Sequence, residues 1–376
     1  MNAWEKRKLG DLSTIRRGAS PRPISSPKWF SGTSSVGWLR ISDVTEQNGR
    51  VYSVAQHLSE KGQKKTLVLT KRHLILSIAA TVGKPVQNYT ALGIHDGFIV
   101  FMNPKFDLDF MFYFLEKYQP QWMRFGQPGS QVNLNSELVR NLEIRLPRRD
   151  EQEQVSKILL KLDNLIAATQ GKLDQLQMVK KALLQHLFDQ SMRFKGYSDP
   201  WEKRKFKDIV TRVNQMSNDS KLPSVEFEDI VSGQGRLRKS AHLKFNTKKG
   251  ISFQPRDVLF GKLRPYLHNW LFPNFHGRAV GDFWVLRANS NVFPGYLFQL
   301  VQAPRFQSIA NISSGTKMPR SDWKTVAESH FLLPDVSEQK RIWQLFKVLD
   351  DLIAATQSKL SSLESLKKAL LQGLFI

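Results

Sequence analysis

Two long segments of the sequence, residues 151–188 and 338–375, are close copies of each other. Aligned without a gap at an offset of 187 residues, they are identical at 21 of 38 positions. In both copies apolar residues recur at steps of four and three, which is the 3.5-residue repeat of a coiled coil. We therefore predict two long helices whose apolar faces pack against each other.

At about 1.5 Å per residue, 38 residues form a helix of about 57 Å, and a helix of that length with one apolar stripe needs a partner. The alternative is that each stripe packs on its own globular domain. Asp150 and Ser337 are predicted to cap the helix N-termini. The residues expected at the coiled-coil or partner interface are Leu159, Leu162, Ile166, Leu173, Leu176, Leu183, Phe346, Leu349, Ile353, Leu360, Leu363 and Leu370.

The duplication extends beyond the helices. Segment 4–8, Trp-Glu-Lys-Arg-Lys, returns as 201–205, and the apolar run at 98–101 matches the run at 283–286. We predict two mixed α/β (α+β) domains in tandem, separated by two long helices that form an antiparallel coiled coil, with an internal pseudo-twofold repeat. The predicted boundaries are 1–146 for the first domain, 147–190 for the first spacer helix, 191–333 for a linker with the second domain, and 334–376 for the second spacer helix.

The two copies differ most at residues 13–72 and 210–256, which hardly align. A duplicated framework with divergent segments suggests two related tasks with different ligands.

The chain is strongly basic. It has 56 Lys and Arg against 33 Asp and Glu, a formal net charge of +23, and such a balance is typical of proteins that bind a polyanion. The absence of cysteine excludes disulfides, thiolate metal ligands and catalytic thiols. No stretch of 18 apolar residues and no hydrophobic N-terminal segment is present, so we expect a cytoplasmic nucleic-acid-binding protein with no membrane contact.

Basic residues concentrate where the two copies diverge, among turn-forming residues. Any one cluster could be a solvated surface, but clusters in both domains favour contact with DNA phosphates. The candidates are Arg16, Arg17, Arg22, Lys28, Arg40, Lys64 and Lys65 in the first domain, and Arg236, Arg238, Lys239, Lys248, Lys249, Lys262 and Arg264 in the second.

Polar loops that precede the long helices are candidates for reading bases, because Gln, Asn, Arg and Lys make paired hydrogen bonds to base edges. Polar composition is also ordinary for turns. The candidates are Gln127, Ser130, Gln131 and Asn133 in one loop and Ser314, Thr316, Lys317 and Arg320 in the other. Tyr266 is a further residue expected to contact DNA.

Catalytic signatures are missing from the sequence. Gly83-Lys84 and Gly261-Lys262 lack the other residues of a phosphate-binding loop, and no His-x-x-x-His pair occurs. Asp335, Glu338 and Lys340 resemble a metal-dependent nuclease signature, but they fall together at a helix start instead of on separate strands. We therefore predict no catalytic or metal-binding residues. A nuclease and a stand-alone DNA-binding regulator or architectural protein remain as alternatives.

The whole pattern resembles the DNA-specificity subunits of type I restriction-modification systems. The resemblance is carried by the two Trp-Glu-x-Arg-Lys openings, by segment 258–266 (Val-Leu-Phe-Gly-Lys-Leu-Arg-Pro-Tyr) and by the Gly129-Ser130 and Gly315-Thr316 loops. The Leu-Pro, Glu-Gln and Leu-Ile-Ala-Ala-Thr sequences of the long helices complete it.

This resemblance implies two target recognition domains, each reading one half of a split site on double-stranded DNA. It also implies methyltransferase (modification) subunits that methylate adenine and a restriction (motor) subunit that cuts. S-adenosylmethionine, ATP and Mg²⁺ would be bound by those partners, and this chain would supply the sequence specificity.

Overall fold

The computed structural model describes residues 4–122, 124, 134–238, 244–312 and 318–375. The chain divides into two compact units. Unit 1 comprises residues 1–168 and 360–376, and unit 2 comprises residues 169–359. Both long helices therefore contribute to each unit.

Unit 1 begins the chain and contains most of its first repeat. Its strands are β1 (Glu5–Lys8), β2 (Thr14–Arg17), β3 (Gly37–Trp38), β4 (Arg50–Val51), β5 (Leu67–Leu69), β6 (Leu74–Ser77), β7 (Pro85–Asn88), β8 (Leu92–Ile94), β9 (Phe98–Met102) and β10 (Glu143–Leu146). Its helices are α1 (Leu9–Leu12), α2 (Ile41–Glu46), α3 (Glu60–Gln63), α4 (Leu108–Trp122), α5 (Ser136–Asn141) and the first half of α6 (Arg149–Phe188).

Two sheets form the body of unit 1, with strand orders β2-β9-β6-β7-β4 and β3-β8-β5, and β1 pairs with β10. Strand β9 is apolar on both faces because each face is buried. Ile99 and Phe101 pack with α4 and the long helices, whereas Phe98 and Val100 pack between the two sheets. This explains the continuous apolar run at 98–101.

Unit 2 repeats this arrangement. Its strands are β11 (Glu202–Lys205), β12 (Val210–Val213), β13 (Met216–Ser217), β14 (Ser224–Val225), β15 (Ile230–Val231), β16 (Arg236–Leu237), β17 (Gly250–Phe253), β18 (Val258–Gly261), β19 (Trp270–Leu271), β20 (Gly277–Ala279), β21 (Phe283–Ala288) and β22 (His330–Leu333). Its helices are α7 (Phe206–Ile209), α8 (Pro294–Leu300), α9 (Pro304–Ala310), α10 (Trp323–Glu328) and the first part of α11 (Val336–Leu374).

The sheets of unit 2 have the orders β12-β21-β18-β19 and β13-β17-β20-β14, β11 pairs with β22, and β15 pairs with β16. Strands β14, β20 and β17 therefore repeat the connectivity of β3, β8 and β5, with one parallel and one antiparallel pairing in each unit. The duplicated topology thus persists in the segments whose sequences hardly align.

The long helices run antiparallel within each unit. In unit 2, Lys180 of α6 forms an ion pair with Asp350 of α11 at 2.7 Å, and Arg193, just after α6, binds Glu338 at the start of α11. In unit 1, Lys367 of α11 binds Asp163 of α6 at 2.9 Å. Seven predicted seam residues are buried, namely Leu159, Leu162, Leu173, Phe346, Leu349, Ile353 and Leu360, and the other five are half-buried.

The predicted helix caps are wrong. Helix α6 already begins at Arg149, so Asp150 lies inside its first turn. At α11 the cap is Asp335, whose Oδ1 accepts hydrogen bonds from the backbone N–H groups of Ser337 at 2.7 Å and Glu338 at 3.0 Å. An aspartate two residues earlier reaches the free N–H groups of the first turn, which Ser337 itself would leave open. Within the described part of the chain, no helix is both long and apolar enough to cross a membrane.

Candidate nucleic-acid interface

In unit 1 the turn between β8 and β9 gathers basic side chains around one carboxylate. The Asp96 carboxylate accepts a hydrogen bond from the Ser20 hydroxyl at 2.6 Å and forms an ion pair with Arg22 at 3.2 Å. The backbone carbonyl of Asp96 accepts a hydrogen bond from Arg17 Nε at 2.7 Å. The hydrogen bond from Ser20, aided by Arg22, lowers the pKa of Asp96. The loop that follows β2 is thereby held against the β8–β9 turn.

Other predicted residues of unit 1 join this cluster to different degrees. The Thr66 hydroxyl lies 2.6 Å from the Ala19 carbonyl and 2.8 Å from the Ile94 carbonyl, which brings the exposed Lys65 close to the same loop. Arg40 hydrogen-bonds Gln56. The remaining predicted residues, Arg16, Lys28 and Lys64, are exposed, and Lys28 lies 4.4 Å from the Trp29 ring centre.

Unit 2 uses an acidic residue of the equivalent turn in the same way. Asp282, between β20 and β21, binds Arg320 at 3.1 Å and Lys262 at 3.6 Å. An isolated bridge joins Leu263 to Arg320, and the Arg264 backbone N–H donates to the Pro319 carbonyl at 2.8 Å. The segments 262–264 and 319–320 therefore form one basic surface beside the turn.

Next to this surface the chain forms a 3-10 turn, Pro265–Leu267, with an exposed aromatic tip. The residues on either side, Arg264 (φ 49°) and His268 (φ 54°), are both left-handed, a conformation that non-glycine residues rarely adopt. Tyr266 is 53% exposed at the tip. The His268 ring stacks on Trp270, and the Ser232 hydroxyl binds the Leu267 carbonyl at 2.5 Å. These contacts hold Tyr266 out from the body of unit 2.

The second group of predicted residues in unit 2 lies elsewhere and is partly neutralised. Lys248 forms an ion pair with Glu226 at 2.8 Å, and Arg238 donates to the Glu228 carbonyl at 2.8 Å. Arg236 is half-buried and hydrogen-bonds Gln357 of α11 at 3.3 Å. Lys249 is exposed. Arg236 is thus directed at the helix and not at an open surface.

One residue that supports this region was not identified from the sequence. Arg278 is fully buried on β20, and its guanidinium donates to the carbonyls of Leu222 at 3.0 Å, Asn246 at 2.6 Å and Lys248. A buried arginine must have its N–H groups paired, and here backbone carbonyls do so. Arg278 therefore fixes the loop that carries Lys248 and Lys249. Its position in an unremarkable Gly-Arg-Ala strand gave no signal.

Seven base-reading candidates lie outside the described residues, namely Gln127, Ser130, Gln131, Asn133, Ser314, Thr316 and Lys317, and so does the phosphate-contact candidate Lys239.

The nuclease-like residues have structural partners. Asp335 caps α11, and the buried Glu338 carboxylate binds Arg193 at 2.7 Å and Trp201 Nε1 at 2.9 Å. Among the described residues, no three His, Asp or Glu side chains are grouped so that they could hold a metal ion.

Comparisons with known proteins point in one direction. Residues 1–178 match the family of the type I restriction modification DNA specificity domain. The chain is 23% identical to the MjaVIII specificity subunit of Methanocaldococcus jannaschii, over 70% of this chain and 68% of that protein. It is 20% identical to the MjaIX specificity subunit of the same organism, over 99% of this chain and 92% of that protein.

Solved structures share the fold. The S subunit of a type I restriction-modification system from M. genitalium superposes with a TM-score of 0.65 at 13% identity, over 100% of this chain and 97% of that one. The HsdS subunit from Thermoanaerobacter tengcongensis gives a TM-score of 0.50 at 16% identity, again over 100% and 97%. Residues 1–178 thus match a type I restriction modification DNA specificity domain, and the chain over nearly its whole length is similar to specificity subunits of type I restriction enzymes.

Proposed function

We propose that unit 1 and unit 2 each read one half of a bipartite site on double-stranded DNA. In this proposal the chain directs adenine-methyltransferase subunits and a restriction (motor) subunit to that site. S-adenosylmethionine, ATP and Mg²⁺ belong to those partner subunits. Two units with one connectivity but different loop residues support the idea of two readers with different specificities.

The observation that carries the proposal is the acidic turn residue present in each unit. Asp96 and Asp282 hold basic side chains from neighbouring loops, and Arg22 is 81% exposed while Arg320 is 53% exposed. Exposed ion pairs of this kind contribute at most about 1 kcal/mol, so the arginines can exchange the carboxylate for a DNA phosphate. The acids thus arrange the cations before DNA arrives without holding them tightly.

The test uses Arg22→Ala in unit 1 and Arg264→Ala in unit 2, each co-expressed with the methyltransferase subunits. We expect weaker binding to every site with an unchanged methylated motif, because phosphate contacts carry no sequence information. Lys347→Ala is the control, since Lys347 lies on α11 and pairs with Asp351 on the same helix face. Binding of both arginine variants at the level of the control would contradict the proposed interface.

The outer faces of the long helices are the proposed docking sites for the methyltransferase subunits. Val179 of α6 is 49% exposed and Leu366 of α11 is 48% exposed, and the two occupy equivalent positions of the repeat. A single exposed apolar side chain is ordinary on a protein surface, but its repetition at equivalent positions of two long helices supports a partner that binds twice.

Introducing a charge at these two apolar positions tests this docking. Val179→Glu and Leu366→Glu are each expected to remove one methyltransferase subunit from the purified complex, measured by native mass spectrometry. Lys181→Glu and Lys368→Glu, two residues further along and on the opposite side of each helix, are the matched controls. A full complement of subunits with both apolar variants would mean that the partner docks elsewhere.

A further inference from the structure

His95 lies beside Asp96, which binds Arg17 and Arg22, but has no assigned role. It is the first residue of the β8–β9 turn, next to Asp96, and its side chain is 22% exposed. The ring lies between Trp38, at 5.7 Å between ring centres, and Phe98, at 4.6 Å. These two aromatic rings fix the plane of the imidazole.

The backbone fixes the position of its proton. The Gly97 N–H donates to His95 Nδ1 at 2.9 Å, and a backbone N–H can only be a donor. Nδ1 is therefore the acceptor, and the neutral ring carries its proton on Nε2. The ring lies so close over Gly97 that a Cβ at that residue would come within 2.5 Å of Cε1, so a larger residue there would displace it.

The surroundings keep the ring neutral. Burial lowers the pKa of His95, and Arg40 acts in the same direction against the opposing effect of Asp96. Among the residues that the structure describes, no acceptor is paired with Nε2–H. His95 thus presents one fixed, uncharged donor within a surface formed by Arg17, Arg22 and Arg40.

The fold itself does not require this histidine. Unit 2 forms the equivalent three-residue turn between β20 and β21 with Val280 at the first position. A histidine that served only the core would have its second nitrogen paired or could be an apolar residue, as in unit 2. The polar group of His95 is therefore not required by the fold that the two units share.

We propose that His95 is a specificity-determining residue whose Nε2–H donates to a hydrogen-bond acceptor on a base edge in the major groove. Guanine O6 and N7, adenine N7 and thymine O4 are such acceptors, whereas cytosine presents an amino donor there. His95 therefore rejects cytosine at one position of the half-site that unit 1 reads. This inference rests on the proposed function of unit 1 as a DNA reader.

The test compares His95→Val with His95→Gln in complexes with the methyltransferase subunits, by mapping methylated adenines across a host genome. The valine variant reproduces the residue of unit 2, and glutamine retains an N–H donor near the position of Nε2. With valine, we expect the preference for the native base over cytosine to fall about tenfold at one position, as for one lost hydrogen bond. Glutamine should retain part of the preference, and the half-site of unit 2 should not change.

An unchanged motif with valine, or an equal loss at all sites, would overturn the role of His95. Thermal unfolding of each variant shows whether it is folded. If His95→Val is unfolded, the methylated motif of His95→Gln is the test, and an unchanged preference against cytosine would contradict the inference. Arg22→Ala separates the two proposals. If Arg22→Ala weakens DNA binding while His95→Val leaves the methylated motif unchanged, only the inference about His95 fails. If Arg22→Ala binds DNA normally and His95→Val also leaves the motif unchanged, the proposed interface of unit 1 is contradicted as well.

Discussion

Trp4 and Trp201 hold equivalent positions in the repeat and bind equivalent glutamates of the long helices. Trp4 Nε1 donates to Glu151 at 3.1 Å in unit 1, and Trp201 Nε1 donates to Glu338 at 2.9 Å in unit 2. The two bonds differ in environment, because Glu338 is buried while Glu151 is exposed. The tryptophan at the start of each domain thus anchors that domain to the first turn of a long helix.

This difference predicts unequal effects of one substitution. Trp201→Phe removes the N–H and leaves part of a buried carboxylate unpaired, which should lower the free energy of unfolding by about 1–3 kcal/mol. In Trp4→Phe the exposed Glu151 carboxylate can bond water instead, so the free energy of unfolding should fall by less than about 1 kcal/mol. Urea unfolding of the two variants measures both values. Equal losses would show that burial of the glutamate does not matter.

At this scale the sequence revealed which residues repeat but not which ones meet. The Trp and Glu motifs were both recognised, yet the residues of each pair are more than a hundred positions apart. The same holds for Asp96, whose contacts with Ser20 and Arg22 bridge 76 and 74 positions. Composition identified the cations, whereas the contacts of Asp96 with them depend on how two loops fold against one turn.

The long helices are fastened to their domains by the same arrangement in each unit. In unit 1, Lys367 binds Asp163 at 2.9 Å and Glu116 of α4 at 3.1 Å. In unit 2, Lys180 binds Asp350 at 2.7 Å and Gln302, just after α8, at 3.0 Å. The lysines and the aspartates are each related by the repeat offset of 187. Each lysine therefore joins both helices to a domain.

Asp350 makes this element sensitive to pH. Burial raises the pKa of Asp350 in spite of Lys180 beside it. Between the unfolded value of about 3.9 and the raised folded value, the folded state binds more protons than the unfolded state, so stability should fall as pH rises through that window. Asp350→Asn should remove this part of the pH dependence.

The measurement is the free energy of unfolding of the wild type and of Asp350→Asn at several values from pH 4 upward. The difference between the two slopes isolates this carboxyl from other titrating groups, including its neighbour Asp351. Lys347→Met serves as a control for altered charge at an exposed position on the same helix. Parallel curves for wild type and Asp350→Asn would contradict the assignment.

Periodicity predicted these helices well because apolar residues at heptad spacing fall on one face of a helix, where they can be buried together. The burial of Leu159, Leu173 and Phe346 agrees with it. The caps were misplaced because several polar residues precede each helix, and only the backbone direction decides which of them reaches the free N–H groups. The topology of β14, β17 and β20 could not be predicted by aligning the two copies, because a strand keeps its place in a fold when its sequence changes, provided that its inward-facing residues stay buried.

For the whole molecule, the formal net charge of +23 predicts DNA binding that weakens steeply with salt. With six to ten phosphate contacts, the association constant should fall by about 10³ to 10⁵ between 50 and 200 mM salt. Arg17→Ala and Arg22→Ala should each reduce the slope of log K against log salt by about one. Fluorescence anisotropy with a duplex that carries the motif measures the slopes, and the slope with Lys347→Ala should equal that of the wild type.

Unit 1 is built from two stretches of chain that lie far apart in sequence, and this sets the order in which a newly made molecule can mature. Residues 169–359, which form unit 2, leave the ribosome before Phe375, whose ring lies 5.0 Å from Phe110 inside unit 1. Residues 1–168 of unit 1 therefore keep an apolar face exposed until unit 2 and the end of α11 have been translated. The first domain to be synthesised is the last to be completed, and chaperones would be expected to guard it during that interval.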